Sequence, residues 1–301
     1  MPGVRPSAYR LPDATRVGAV RYQIADLERS LGFYRDLVGL RELGRETAGG
    51  SARVRLGAAD ESQALLELVE RPGARPMPRS GRLGLYHSAL LLPSRDALGA
   101  FVRHLEVARF RAAASDHLVS EALYLRDPDG LTLEVYADRP RADWLIRDDQ
   151  YVATLDPLDW EGLRALAPER RWTGVPAGAS IGHVHFYVGD LEAAASFYHQ
   201  GLGLDKVNWS LPGALFLSAG GYHHHVGTNT WLSGAPLATE ADARLLEWEL
   251  VVPETADVEA AAASLGRAGY RIDRDGESAL CADPWGIRVR IACAFSGRAG
   301  S

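Results

Sequence analysis

The chain has 301 residues, 47% of them hydrophobic, and a mean hydropathy of -0.14, enough for two ordinary domains or one large one, each with a core of its own. A formal net charge of -6, a pI near 5.9 and the lack of any Lys/Arg block exclude a nucleic-acid footprint and argue against an anionic membrane surface, so small molecules are the expected ligands. Two cysteines, Cys281 and Cys293, make neither a disulfide framework nor a zinc cluster; they read as buried free thiols in a reducing cytoplasm, and neither a secretory leader nor a spanning apolar run is read from the sequence.

In chain order, the first module covers residues 10–72. The strand Val17-Gly-Ala-Val-Arg-Tyr-Gln-Ile leads to Asp26-Leu-Glu, a helix start, and then to a helix carrying Ser30-Leu-Gly-Phe-Tyr and closed at Val38-Gly-Leu. Residues 71–81 form a Pro/Arg/Gly loop. The second module, 82–138, opens at Gly84-Leu-Tyr-His-Ser-Ala-Leu-Leu-Leu-Pro-Ser and continues through an Ala-rich helix to a hairpin. Its strands, Ala122 to Leu125 and Leu131 to Tyr136, flank Asp127-Pro128-Asp129-Gly130, where Pro presets φ and Gly supplies a positive φ. Residues 139–177, rich in turn residues such as Pro140, Pro157, Pro168 and Pro176, form a linker with one short helix.

The third module, 178–233, repeats the first: Ile181-Gly-His-Val-His-Phe-Tyr-Val-Gly-Asp-Leu-Glu is followed by Ala195-Ser-Phe-Tyr and Leu202-Gly-Leu. The fourth, 243–295, starts at Leu245-Leu-Glu-Trp-Glu-Leu-Val-Val-Pro-Glu-Thr and ends, like the second, in strands around Asp-Pro-x-Gly. Four βαβββ modules therefore give an α+β fold, with residues 10–138 as an N-terminal domain and 178–295 as a C-terminal domain. Three strands after each helix make half of an open cup, and such a half-sheet must pair with another module to bury its apolar face.

The stretch from His117 to Glu134 gathers a His, a Tyr and a Glu around one turn. On its second strand Thr132, Glu134 and Tyr136 share a face, so a carboxylate stands among β-formers, where an unpaired charge is costly and a cationic partner is expected. This stretch supplies His117, Leu123-Tyr124, Asp127-Pro128-x-Gly130 and Glu134 in order, and with the modular repeat it resembles the vicinal oxygen chelate (glyoxalase/bleomycin resistance/dioxygenase) superfamily. Within it the likeness is to type I extradiol ring-cleaving, catechol-2,3-dioxygenase-like proteins of the four-module kind. The resemblance implies two open mixed-sheet barrels, Fe(II) with Mn(II) as a substitute, a catechol-type aromatic diol and O2 as substrates, and a cytoplasmic enzyme of aromatic catabolism, homo-oligomers being compatible. Its alternatives are a divalent-metal isomerase or lyase on the same scaffold, or a metal-free resistance-type binding protein.

Aligned on the repeats, one first-strand position holds Ala19, His87, His183 and Trp248, and one last-strand position holds Glu67, Glu134, His225 and Arg290. The resemblance implies His87, His183 and Glu134 as the two-His-one-carboxylate triad, which requires the second module to pair with the third across the linker. His185, on the same face as His183, is the rival ligand. His225, in Tyr222-His-His-His, is the expected acid–base residue, or else a fourth ligand. Tyr124 and His117 would bond the substrate oxygen and the loop, although His117 reads equally as a solvent-facing turn residue. Trp231, Trp209, Tyr187 and Phe186 are candidates for an aromatic pocket wall, and core packing explains them equally well. Modules one and four read as a second cup without metal.

Overall fold

The computed structural model describes residues 1–48, 50–166 and 171–294; Pro168 of the linker and the final position of the fourth module, 295, lie outside them. The first module contains β1 (Arg16–Ile24), α1 (Leu27–Leu31) running into a π-helical turn (Gly32–Leu37), β2 (Arg41–Ala48), β3 (Ser51–Gly57) and β4 (Ala64–Glu70). The second contains β5 (Gly84–Leu91), α2 (Arg95–Val107), β6 (Ala113–Asp116), β7 (Ser120–Arg126) and β8 (Thr132–Asp138). In the linker a short hairpin, β9 (Ile146–Arg147) and β10 (Gln150–Tyr151), precedes α3 (Trp160–Leu166). The third module contains β11 (Ser180–Tyr187), α4 (Leu191–Ala194) with a second π-helical turn (Ala195–Gly201), β12 (Asp205–Asn208), β13 (Ala214–Ser218) and β14 (Val226–Asn229). The fourth contains β15 (Arg244–Val252), α5 (Thr255–Arg267), β16 (Ile272–Asp275), β17 (Ser278–Ala282) and β18 (Arg288–Cys293).

Capping explains where the helices start. The Asp26 carboxylate accepts from the Arg29 amide at 2.9 Å, Asp190 from Ala193 at 2.7 Å and Ser94 from Ala97 at 3.2 Å, each satisfying a first-turn N–H that has no intrahelical partner. On α2, Ala97, Leu98, Phe101, Val102 and Leu105 are buried, the i, i+3, i+4 stripe of a helix lying on a sheet. Each large apolar side chain in that stripe contributes about 1.5–3 kcal/mol. Gly99 lets α3 approach: a Cβ there would lie 2.3 Å from the Leu163 carbonyl oxygen.

The two eight-stranded sheets run β12-β13-β14-β11-β5-β8-β7-β6 and β16-β17-β18-β15-β1-β4-β3-β2. Each joins two modules through their first strands: β5 lies antiparallel to β11, and β1 antiparallel to β15, whereas within a module the first and last strands are parallel. The second module thus pairs with the third, and the first with the fourth, so the sheets do not follow the division of the chain at 139–177.

Two turns with buried aspartates tie the sheets to each other. Gly130 (φ 82°) and Gly286 (φ 79°) close the Asp-Pro-x-Gly turns in a conformation that favours glycine. Tyr34 of the first module donates to Asp127 of the second at 3.0 Å, and Tyr198 of the third donates to Asp283 of the fourth at 2.8 Å. Burial pushes the Asp127 carboxyl up to about 7 and the Asp283 carboxyl up to about 6, although backbone amides bond both.

Candidate metal centre

Strand register decides which side chains meet on the concave face. Across the β5–β11 pair His87 lies opposite His185 and His183 opposite Ala89; across β5–β8, Ala89 lies beside Glu134. The β11 register shifts between Ile181 and His183. Gly182 sits in that shift, and a Cβ on it would fall 1.8 Å from the Tyr136 hydroxyl. His87 and His183 are therefore related by the approximate two-fold axis between the modules, and Glu134 reaches between them over the small Ala89.

The Nε2 atoms of His87 and His183 lie 3.0 and 3.1 Å from the same oxygen, Glu134 Oε2. All three residues are buried, and their donor atoms lie within 4.8 Å of one another. Burial alone would raise the Glu134 carboxyl, but the imidazoles of His183 and then His87 overcome it and hold the group well below the usual carboxylate range. Burial lowers His87, against the pull of Glu134. A carboxylate oxygen facing the ring nitrogens of two imidazoles, all three side chains buried, is a donor set suited to a divalent cation. Among the described residues the Nδ1 atoms of both rings have no hydrogen-bond partner.

The two-fold mate of Glu134 is a glycine. His185 pairs with Gly227 on β14 as Ala89 pairs with Glu134 on β8. A Cβ on Gly227 would lie 2.8–3.0 Å from the His185 ring, so this imidazole fills the space above the fourth-donor position. Asn229 Nδ2 donates to His185 Nε2 at 3.0 Å, and burial drives its pKa well below the ordinary histidine value. His185 lines the cavity wall and stays outside the donor group.

His117 and Tyr124 face the same cavity, which makes His117 a wall residue and not a solvent-facing turn residue. His117 Nδ1 donates to the Thr154 carbonyl at 2.8 Å, which leaves Nε2 to accept from the Tyr124 hydroxyl at 2.8 Å. Burial, then the Glu134 charge, pushes the Tyr124 phenol well above its ordinary value.

The triple-His run departs from expectation. An alternating strand would put His223 and His225 on one side, but Gly220 (φ 60°) and Gly221 (φ 66°) turn the chain here and β14 starts only at Val226. His223 and His224 consequently line the cavity, whereas His225 lines a separate cleft with Thr15 and Arg141. His225 Nδ1 accepts from the Ala219 amide at 3.1 Å, and burial lowers its pKa to about 3. His224 stands with its ring 4.1 Å from that of His183. His223 Nε2 donates to Asp138 Oδ1 at 2.8 Å, so its Nδ1 accepts from His224 Nδ1 at 2.8 Å and the lone pair of His224 lies on Nε2. Burial keeps His224 neutral, well below the ordinary value.

Of the expected aromatic wall, only Trp231 lines the cavity. Phe186, one residue out of phase with His185, is wholly buried against Tyr198 and Trp248; Tyr187 packs on Tyr86, and Trp209 is 39% exposed outside the lining. Tyr86 and Phe216 were not anticipated, nor were Tyr151, Thr154 and Leu155, which the linker lays across the cavity.

Strand register corrects two alignments, one in each sheet. Arg21 lies opposite Glu247 as His185 lies opposite His87, so the mate of His87 in the fourth module is Glu247 and not Trp248, which is buried in the core. Likewise the last-strand mate of Glu134 in the third module is Gly227 and not His225.

The Glyoxalase/Bleomycin resistance protein/Dioxygenase superfamily model matches residues 16–135 and 180–291. The catechol-2,3-dioxygenase of Bacillus subtilis (strain 168) is 40% identical over 274 residues, 90% of this chain and 94% of that protein. Among solved structures, a provisionally described dioxygenase from Bacillus subtilis subsp. subtilis str. 168 matches with a TM-score of 0.67 at 13% identity, covering 96% of this chain and 87% of that one. Glyoxalase I from Zea mays matches with a TM-score of 0.56 at 17% identity, covering 92% of each chain. At such identities the two structures show a shared fold.

Proposed function

The chain belongs to the Glyoxalase/Bleomycin resistance protein/Dioxygenase superfamily, and on that premise we propose that it is an Fe(II)-dependent extradiol dioxygenase that opens a catechol-type ring beside its two hydroxyls. The observation that carries this reading is the three-donor set. His87, Glu134 and His183 face one point, while the two-fold mate of the carboxylate is Gly227 roofed by His185. Three protein donors leave coordination positions for a bidentate diol and for O2, whereas an isomerase or lyase on this scaffold is expected to close the shell with a second carboxylate. The 40% identity to a catechol-2,3-dioxygenase favours the same choice, and the buried His, Glu and His set disfavours a metal-free binding protein.

Bound there, iron, or manganese in its place, supplies a Lewis acid and an electron conduit between diol and O2. The chain's own residues do the rest. His224, which lines the cavity with its lone pair on Nε2 and its Nδ1–H tied through His223 to Asp138, takes the acid–base role first expected of His225. Tyr124, fixed by His117 and the Thr154 carbonyl, orients a substrate oxygen. Tyr86, Phe216 and Trp231 hold the ring plane, and the linker covers the site and limits water.

Protein loaded with Fe(II) under anaerobic conditions is expected to consume O2 and release a yellow ring-fission product on addition of catechol. His224→Ala should keep its metal and lose turnover by about 10²–10⁴-fold, while His225→Ala should stay within a few-fold of wild type. No O2 uptake with any ring diol contradicts the proposal.

A further inference from the structure

The walls of the metal cavity differ from its floor. Beyond the donors, the flanking His, Tyr and Asn groups and two small hydroxyl residues, Ser120 and Thr154, the lining is apolar, with Val119, Ala153, Leu155, Leu211, Phe216 and Trp231, and no Lys or Arg is among the described residues that line it. Its rim is apolar as well. Leu155 (70% exposed) and Trp231 (45% exposed) both line the cavity and reach solvent, so a group projecting outward from the ring meets hydrocarbon before it meets water.

Charge counting points the same way. Glu134 brings one carboxylate to the donor group, between the rings of His87 and His183, and Asp138 is a second carboxylate just behind His223. A divalent cation offsets Glu134 with one positive charge to spare, and an ionised diol consumes that charge. A further anionic group on the ring would then lie against an apolar wall with no guanidinium or ammonium to pair it, an arrangement whose desolvation nothing offsets.

We infer that this site, read as a ring-diol site as proposed above, selects diols whose other substituents are uncharged and apolar, such as alkyl or halogen groups, and rejects diols that carry a carboxylate. The discrimination comes from an absent counter-charge on the wall and not from a clash, so it is reversible by adding one. Leu155 is the place to add it, because its side chain lies at the rim and is already solvated.

The test is equilibrium binding to the full chain loaded with a divalent metal under anaerobic conditions, followed by admission of O2. Catechol and its methyl and chloro derivatives are compared with dihydroxybenzoate. The methyl and chloro diols should bind at least as tightly as catechol, and dihydroxybenzoate at least about 100-fold more weakly. Leu155→Arg should narrow that gap about 10-fold or more. Dihydroxybenzoate binding within a few-fold of catechol overturns the inference, and so does a gap that Leu155→Arg leaves unchanged. Neutral diols that bind selectively but trigger no O2 uptake leave the inference standing and remove the dioxygenase reading; if no diol binds, both fall.

Discussion

In the sheet built by modules two and three, the four two-fold-related positions hold His87, His183, Glu134 and Gly227; in the sheet of modules one and four the corresponding positions hold Glu247, Ala19, Arg290 and Glu67. Where the first sheet has His185 over its glycine, the second has Arg21, which bonds Glu67 at 2.7 Å and lies 3.5 Å from Glu247. Arg290 bonds Glu247 at 2.7 Å, and Arg53 adds a second contact to Glu67 at 2.9 Å. Both cups bury carboxylates on the same backbone. One pairs them with permanent guanidinium charges, the other with imidazoles, which carry no permanent charge, and only the latter leaves a carboxylate whose surroundings suit a metal. On the proposed reading, what separates the two cups is the set of side chains at these fixed register positions and not the sheet.

The sharpest way to break the comparison is to move one residue across it. His185→Arg places a guanidinium where Arg21 stands in the other cup, within reach of Glu134. Metal affinity should fall by more than the roughly 100-fold typical of losing an outer partner, with His87, His183 and Glu134 all intact; calorimetric metal titration measures it. The reverse change is energetic. Arg290→Ala leaves the buried Glu247 without its closest partner and should cost about 3 kcal/mol in denaturant unfolding, with metal content unchanged.

The smallest effect concerns what the two halves share. Asp127 and Asp283, raised by burial to about 7 and about 6, keep protons in the folded protein that an unfolded chain has released above about pH 4. Stability should therefore fall as pH rises from about 4, through about 6 for Asp283 and about 7 for Asp127, by at most about 1.4 kcal/mol per pH unit for each group. Asp127→Asn keeps an acceptor for the turn amides and should flatten the upper part of that decline in thermal unfolding. Asp283→Asn should flatten only the part below about pH 6.

Much of this contrast could be read from residue types alone. The repeat of Gly-x-x-x-Phe/Tyr strands and Asp-Leu-Glu helix starts defines modules one and three, weaker copies define two and four, and two histidines in equivalent first strands require modules two and three to meet. What could not be counted along the chain was register across irregularities. The shift at Gly182 and its counterpart in β1 displace pairing across the first strands, so that Glu247 and not Trp248 stands opposite Arg21. Two consecutive left-handed glycines before the His run break the strand alternation, so that His224 lines the metal cavity with His223 while His225 lines a separate cleft. Nor does a Pro-rich linker announce that its carbonyl at Thr154 will hold His117, a contact made 37 residues away.

The central claim, that one cup takes a metal and its twin does not, is tested most directly by elemental analysis of purified wild-type, Glu134→Gln and Glu67→Gln proteins. A single divalent ion per chain in wild type and in Glu67→Gln, and none in Glu134→Gln, is the expected result. Metal retained by Glu134→Gln, or lost from Glu67→Gln, contradicts the account.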